Sequence, residues 1–192
     1  MRSLCVFCGS SAGHSPAYAA AARRLGARLA ADGVALIYGG GGVGMMGALA
    51  DAVLDGGGRV TGVIPRALAQ RELAHSRVAD MRVVPDMHSR KALMADLADA
   101  FVALPGGLGT LDELLEAITW AQLGLHSKPI GLLDLNGYFA PLLALIDHAV
   151  AEGFVAPDDR RLLLVDSDAD QLVAALTRAV AVPRTVLDGL RR

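Results

Sequence analysis

Charge of one sign is what the 192 residues lack most plainly: 18 basic residues against 20 acidic ones leave a net charge of −2. So even a balance lacks the electrostatic footprint of a protein that grips a nucleic acid backbone or an anionic membrane surface, and neither partner is expected. Long apolar runs are missing as well. The first, Leu4 to Phe7, gives way to glycine and serine and is too short for a signal-peptide core or a membrane span, so a cytoplasmic protein is expected. Cysteine is reduced to two residues, Cys5 and Cys8. Their C-x-x-C spacing lies in a β-branched and aromatic run that reads as a strand, where positions three apart point to opposite faces. Two separately buried thiols are therefore expected, not a redox pair. The histidines at 14, 75, 88, 126 and 148 are scattered without ligand-like spacing, and no metal site is expected.

What the chain does have is apolar residues, 53% of the total, and 22 glycines. This is ample for one core, and a single domain is expected over residues 1–182, with 183–192 as a charged, proline-containing tail. Short apolar runs alternate with helix-length amphipathic segments. SLCVFCG, VALIYGG, RVTGVIP, AFVALPGG and PIGLLDL read as strands, with RVVP as a short extra one; helices are expected at about 15–32, 43–55, 88–98, 109–123, 137–152 and 168–181. The segment from Pro65 to Met81 reads as an irregular connector. Such alternation means parallel strands joined by right-handed crossovers, hence an α/β fold: a doubly wound, Rossmann-like parallel sheet with helices on both faces.

Glycine closes three of these strands, at Gly9 before Ser10 and Ser11, at the run Gly39 to Gly44, and at Gly106-Gly107-Leu108-Gly109-Thr110. The C-terminal ends of parallel strands share one edge, so the three turns together form a cradle for a phosphorylated ligand. Gly42 to Gly47 fits G-x-G-x-x-G, but no acid closes the next strand to hold a ribose, and no lysine follows in a G-K-[ST] arrangement. Neither NAD nor a Walker-type triphosphate loop is expected.

The third turn opens a helix that carries Asp112, Glu113 and Glu116. At about 100° per residue, Leu111, Leu114, Leu115, Ile118 and Leu125 form a stripe expected to face the sheet, which leaves Glu113, Glu116 and Trp120 on the other side. Asp112 is accounted for by the helix dipole. Glu113, four residues after Gly109, can reach back toward whatever a bound phosphate is attached to. Trp120 on a nominally polar side, with Leu123 beside it, predicts cover by a second subunit. The motif DMHSRK, Asp86 to Lys91, places Arg90 and Lys91 in the first turn of another helix, where the dipole disfavours cations. An anionic ligand would answer that, and Arg90 is the candidate for bidentate contact with a phosphate or ribose.

With these residues in view, PGGLGTLDE (Pro105 to Glu113) resembles the P-G-G-x-G-T-x-x-E signature of the Lonely Guy family, the cytokinin riboside 5′-monophosphate phosphoribohydrolases once taken for lysine decarboxylases. VFCGSS, YGGGGVGMMG, DMHSRK and ITWAQLGLHSKPIGLL extend the likeness to about residue 155. The resemblance implies hydrolysis of the N-glycosidic bond of adenosine 5′-monophosphates, plain or N6-prenylated, to free base and ribose 5-phosphate. Arg90 and Glu113 are the implied catalytic pair. Lys91, Glu72 and the stretch Gly107, Gly109 and Thr110 fall among the implied substrate contacts; Gly9, Ser10, Gly41, Gly42, Met87 and Gly106 complete the candidates. No cofactor is implied: a pyridoxal-phosphate decarboxylase needs a Schiff-base lysine, and the only lysines are Lys91 and Lys128, neither in a setting that lowers its pKa. A homodimer with its site near the subunit boundary is implied, in agreement with the reading of Trp120. Leu108 stands where many members carry an aromatic residue, which leaves open the preference between plain AMP and prenylated nucleotides. The alternative is a non-catalytic nucleotide-binding protein similar to the molybdenum-cofactor carriers, which needs no carboxylate at an anomeric carbon.

Overall fold

The computed structural model describes residues 1–69 and 73–180. Its sheet has seven parallel strands in the order β4-β3-β2-β1-β5-β6-β7. They are β1 Ser3–Phe7, β2 Ala35–Tyr38, β3 Val60–Pro65, β4 Asp80–Val84, β5 Ala100–Ala103, β6 Ile130–Leu133 and β7 Leu163–Asp166. The long helices are α1 Pro16–Ala31, α2 Gly44–Asp55, α4 Met87–Leu97, α5 Leu108–Gln122, α6 Ala140–Ala151 and α8 Ala169–Val180; α3 Arg66–Ala69 and α7 Pro157–Arg160 are single turns. This is the doubly wound Rossmann-like sheet expected from the alternation of strand and helix.

Period-two alternation in β1 sorts the core into two layers. Leu4 and Val6, with Cys8 just beyond the strand, join the side covered by α1, α2 and α8, whereas Cys5 and Phe7 join the side covered by α4 and α5. Both thiols are free and buried, on opposite sides of the sheet. Burial raises their pKa values, which leaves them protonated and unreactive. Val6 is paired with Tyr38 on one flank and Val102 on the other, so β1 is the central strand. Chain order reverses between β1 and β5, and their C-terminal ends flank the crevice where ligands bind in such sheets.

Two readings of the sequence are corrected. The first concerns β7, with α7 before it, both absent from the expected elements. The strand is a half-exposed edge of four residues set between arginines and aspartates, and so short an apolar run carries no periodic signal of its own. The second concerns α5, whose buried residues are Thr110, Glu113, Leu114 and Ala117, while Leu115 and Leu125 are exposed. Leu114 of the leucine stripe is buried, with Leu111 and Ile118 packed beside it, so the face turned to the sheet is that stripe rotated toward Ala117 and Glu113. The small Thr110 and Ala117 lie on this buried face, and Glu113 lies on it with them. Trp120 is partly covered by its own chain, lining a small void with Phe7, Phe101 and Glu113. Among the described residues no helix is long and apolar enough to cross a membrane. The expected tail, 183–192, lies outside the described residues.

Candidate active site

The three glycine turns meet as the topology requires. Gly9 donates its N–H to the Pro105 carbonyl at 3.1 Å, and its own carbonyl accepts from Met45 and Met46 at 3.1 and 3.3 Å. The ends of β1, β2 and β5 are thus laced together. Between the first and third turns lies a crevice of about 230 Å³ that includes Gly9, Ser10, Gly106 and Gly107 and is walled by Tyr18 and Tyr138.

The glycines of the third turn have different causes. A Cβ on Gly106 would fall 2.1 Å from Thr110 Oγ1 and 2.8 Å from the Gly9 nitrogen, so packing within the chain demands glycine there. On Gly107 or Gly109 it would meet nothing within 4 Å, and neither residue has a positive φ. The fold does not require these two glycines, but an approaching ligand would. Gly107 is the N-cap of α5 and has no side chain with which to satisfy the amides of the first turn. Those N–H groups and the positive end of the helix dipole are suited to an anion.

The second turn is arranged otherwise. Gly42 donates to the Leu73 carbonyl at 3.1 Å, the Gly40 carbonyl accepts from His75 at 2.9 Å, and Gly41 bridges Ala74. The Gly42 amide is engaged within the chain, and this run seats the connector. Glu72 lies outside the described residues.

The charged motif converges on the same edge. Asp86 caps α4, its carboxylate accepting the Ser89 N–H at 2.8 Å. That bond holds the carboxyl below its usual range. Arg90, one residue further on, is buried, and its Nη2 lies only 1.8 Å from where a Cβ on Gly39 would be. Glycine at the end of β2 thus makes room for the guanidinium. Arg90 Nη2 stands 3.4 Å from Glu113 Oε1, longer than an ordinary charge-assisted hydrogen bond. Its Nη1 faces the Met87 sulfur at 3.7 Å, and its Nε is buried with no acceptor. A buried guanidinium with idle donors is costly unless something completes it.

Glu113 is 7% exposed. Burial raises its pKa, the Arg90 charge opposes that, and Asp112 adds to it. Lys91 is placed differently from Arg90: it bridges Asp112 at 3.1 Å and Glu116 at 3.0 Å. Asp112 therefore answers Lys91 rather than the helix terminus. Among the described residues no group of three or more potential metal-ligating side chains occurs.

Two residues went unnoticed in the sequence. His75 is buried, 3.4 Å from Asp51, and helps fasten the connector over the second turn. Tyr138, just after the 3₁₀ turn Leu135–Gly137, donates its hydroxyl to the Gly106 carbonyl. An aromatic following the end of β6, the neighbour of β5, was the available signal.

A family model described as possible lysine decarboxylase matches residues 46–176. The cytokinin riboside 5′-monophosphate phosphoribohydrolase LOG of Oryza sativa subsp. japonica is 52% identical over 179 residues, which is 93% of this chain and 74% of that protein. A cytokinin riboside 5′-monophosphate phosphoribohydrolase of Arabidopsis thaliana is 53% identical over 173 residues, covering 90% and 80%. Among solved structures, the molybdenum cofactor carrier protein of Chlamydomonas reinhardtii superposes with a TM-score of 0.71 at 22% identity, covering 94% of this chain and 98% of that one. The molybdenum cofactor binding protein of Rippkaea orientalis gives 0.70 at 20% identity, covering 93% and 96%. At such identities these two structures speak for the fold alone.

Proposed function

This chain belongs to the Lonely Guy family of cytokinin riboside 5′-monophosphate phosphoribohydrolases, and from that premise we propose that Glu113 and Arg90 hydrolyse the N-glycosidic bond of an adenosine 5′-monophosphate, plain or N6-prenylated. The products are the free base and ribose 5-phosphate. The observation that carries the reading is the buried Arg90–Glu113 pair beside the uncapped amides of α5.

The 5′-phosphate sits on the amides of the α5 terminus, with Gly107 and Gly109 leaving it room. Gly109 and Glu113 are i and i+4 on the helix, about 6 Å apart along its axis, a span comparable to that from phosphate to anomeric carbon. As the C1′–N bond breaks, its electron pair leaves with the base and positive charge builds on the ribose. The Glu113 carboxylate faces that charge, orients a water and takes its proton as the water oxygen bonds to C1′. A nitrogen of the departing base takes a proton from solvent, and Glu113 gives the one it took back to solvent, so that one water is added across the bond. Arg90 directs its idle donors at the ribose and phosphate oxygens, so that binding remote from the reacting carbon contributes to positioning at it. Leu108, 86% exposed at the start of α5, offers a small apolar contact where an aromatic would fill more space, which suits a bulky N6 substituent.

Exposed Leu115 on α5, with Leu123 and Leu125 just after it, supports a homodimer formed beside the site. Two free, reduced cysteines suit a cytoplasmic protein. The test is incubation with AMP and with isopentenyladenosine monophosphate in buffer free of phosphate and pyrophosphate, followed by chromatography. Free base and ribose 5-phosphate are expected in equal amounts. Tight nucleotide binding with no base released would identify a carrier instead.

A further inference from the structure

The geometry points to Tyr138 as a positioning residue that locks the phosphate-binding turn in its donor orientation. This rests on the reading that the turn holds a 5′-phosphate. The peptide between Gly106 and Gly107 joins two glycines, and the Gly107 side of it stands in open space. Such a unit can rotate as a plane at little steric cost. A trans peptide points its carbonyl and its N–H in opposite directions, so whatever holds the Gly106 carbonyl also aims the Gly107 N–H. The Tyr138 hydroxyl holds that carbonyl. The preceding peptide is fixed too, its Pro105 carbonyl accepting the Gly9 N–H at 3.1 Å. With both carbonyls taken, the Gly107 amide is turned away from Tyr138 and left, with the first amides of α5, for an anion.

Tyr138 is itself rigidly placed. Its neighbour Phe139 is buried at 1% exposure, and the Phe139 N–H donates to Asp134 Oδ1 at 2.7 Å. Its ring meets the edges of Phe139 and Tyr18, at centroid distances of 5.1 and 6.1 Å. The ring is therefore held by packing, and the hydroxyl is free to act on the turn.

Tyr138→Phe and Tyr138→Leu separate these parts, since Phe keeps the ring and both lose the hydroxyl. Calorimetry with inorganic phosphate, ribose 5-phosphate and adenine as probes reads the effect, alongside the kinetics of AMP cleavage. Both variants are expected to bind phosphate and ribose 5-phosphate about five- to tenfold more weakly, the worth of one hydrogen bond, with adenine binding unchanged. The KM for AMP should rise by the same factor with kcat within about twofold of wild type. Tyr138→Phe binding phosphate as tightly as wild type, or losing adenine affinity in equal measure, would overturn the lock. A wild type that binds neither phosphate nor ribose 5-phosphate would overturn the phosphate reading of the turn, and the lock with it.

Discussion

At the scale of single residues, Glu113 carries the account, and its environment sets its working range. Burial pushes its pKa up, Arg90 pulls it down, and Asp112 pushes it up again. The proposed mechanism uses the carboxylate form, so kcat/KM should rise with pH through that elevated pKa. Asp112→Asn removes the negative neighbour while leaving Lys91 its partner Glu116, so the acidic limb of the kcat/KM profile should move to lower pH. A limb that stays put or moves upward would mean that another group controls it. Arg90 and Glu113 were legible in the sequence because they stand inside short charged motifs next to glycine turns. The inward orientation of Glu113 was not, since the buried face is rotated from the leucine stripe toward Ala117. Tyr138 was less legible still: its partner is a backbone carbonyl 32 positions away, and a main-chain acceptor leaves no mark on residue type.

At the scale of elements, the site is a fit between α4, α5 and the end of β2. Asp86 starts α4 and Arg90 projects from it into the space that Gly39 leaves empty. Gly39→Ala would place a methyl group on the guanidinium, the far end of a flexible side chain, so the arginine should move while the fold stays. Its thermal midpoint is expected to remain near that of wild type while kcat/KM falls on the order of a hundredfold, the cost of displacing a positioning group by about an ångström. Equal losses of stability and activity would instead make Gly39 a packing residue. The strands and long helices were legible because alternation of apolar runs with amphipathic segments is a strong signal. β7 was not, because an edge strand of four residues is specified by the neighbour it pairs with, Leu132 opposite Val165, rather than by its own pattern. The Gly39 to Gly44 run looked like a second anion cradle. Only the folded chain brings Leu73 to the Gly42 amide, so that the run also seats the connector.

At the scale of the whole molecule, the doubly wound sheet brings residues from positions 9 to 138 to one edge, and the fold alone does not decide what happens there. Carrier proteins share the architecture at 20–22% identity, while the phosphoribohydrolases share 52–53% of residues. The exposed leucines on and just after α5 are where the proposed second copy would dock. Leu123→Glu should convert a dimer to a monomer in sedimentation velocity, and a wild type that sediments as a monomer would remove the dimer from the account. The most direct test of the central claim is single-turnover release of base from bound AMP by wild type and by Glu113→Gln. Release is predicted to fall by a factor on the order of 10² to 10⁴ while AMP stays bound. Release by Glu113→Gln at the wild-type rate would contradict the account, because the charge that develops on the ribose would then have no need of this carboxylate.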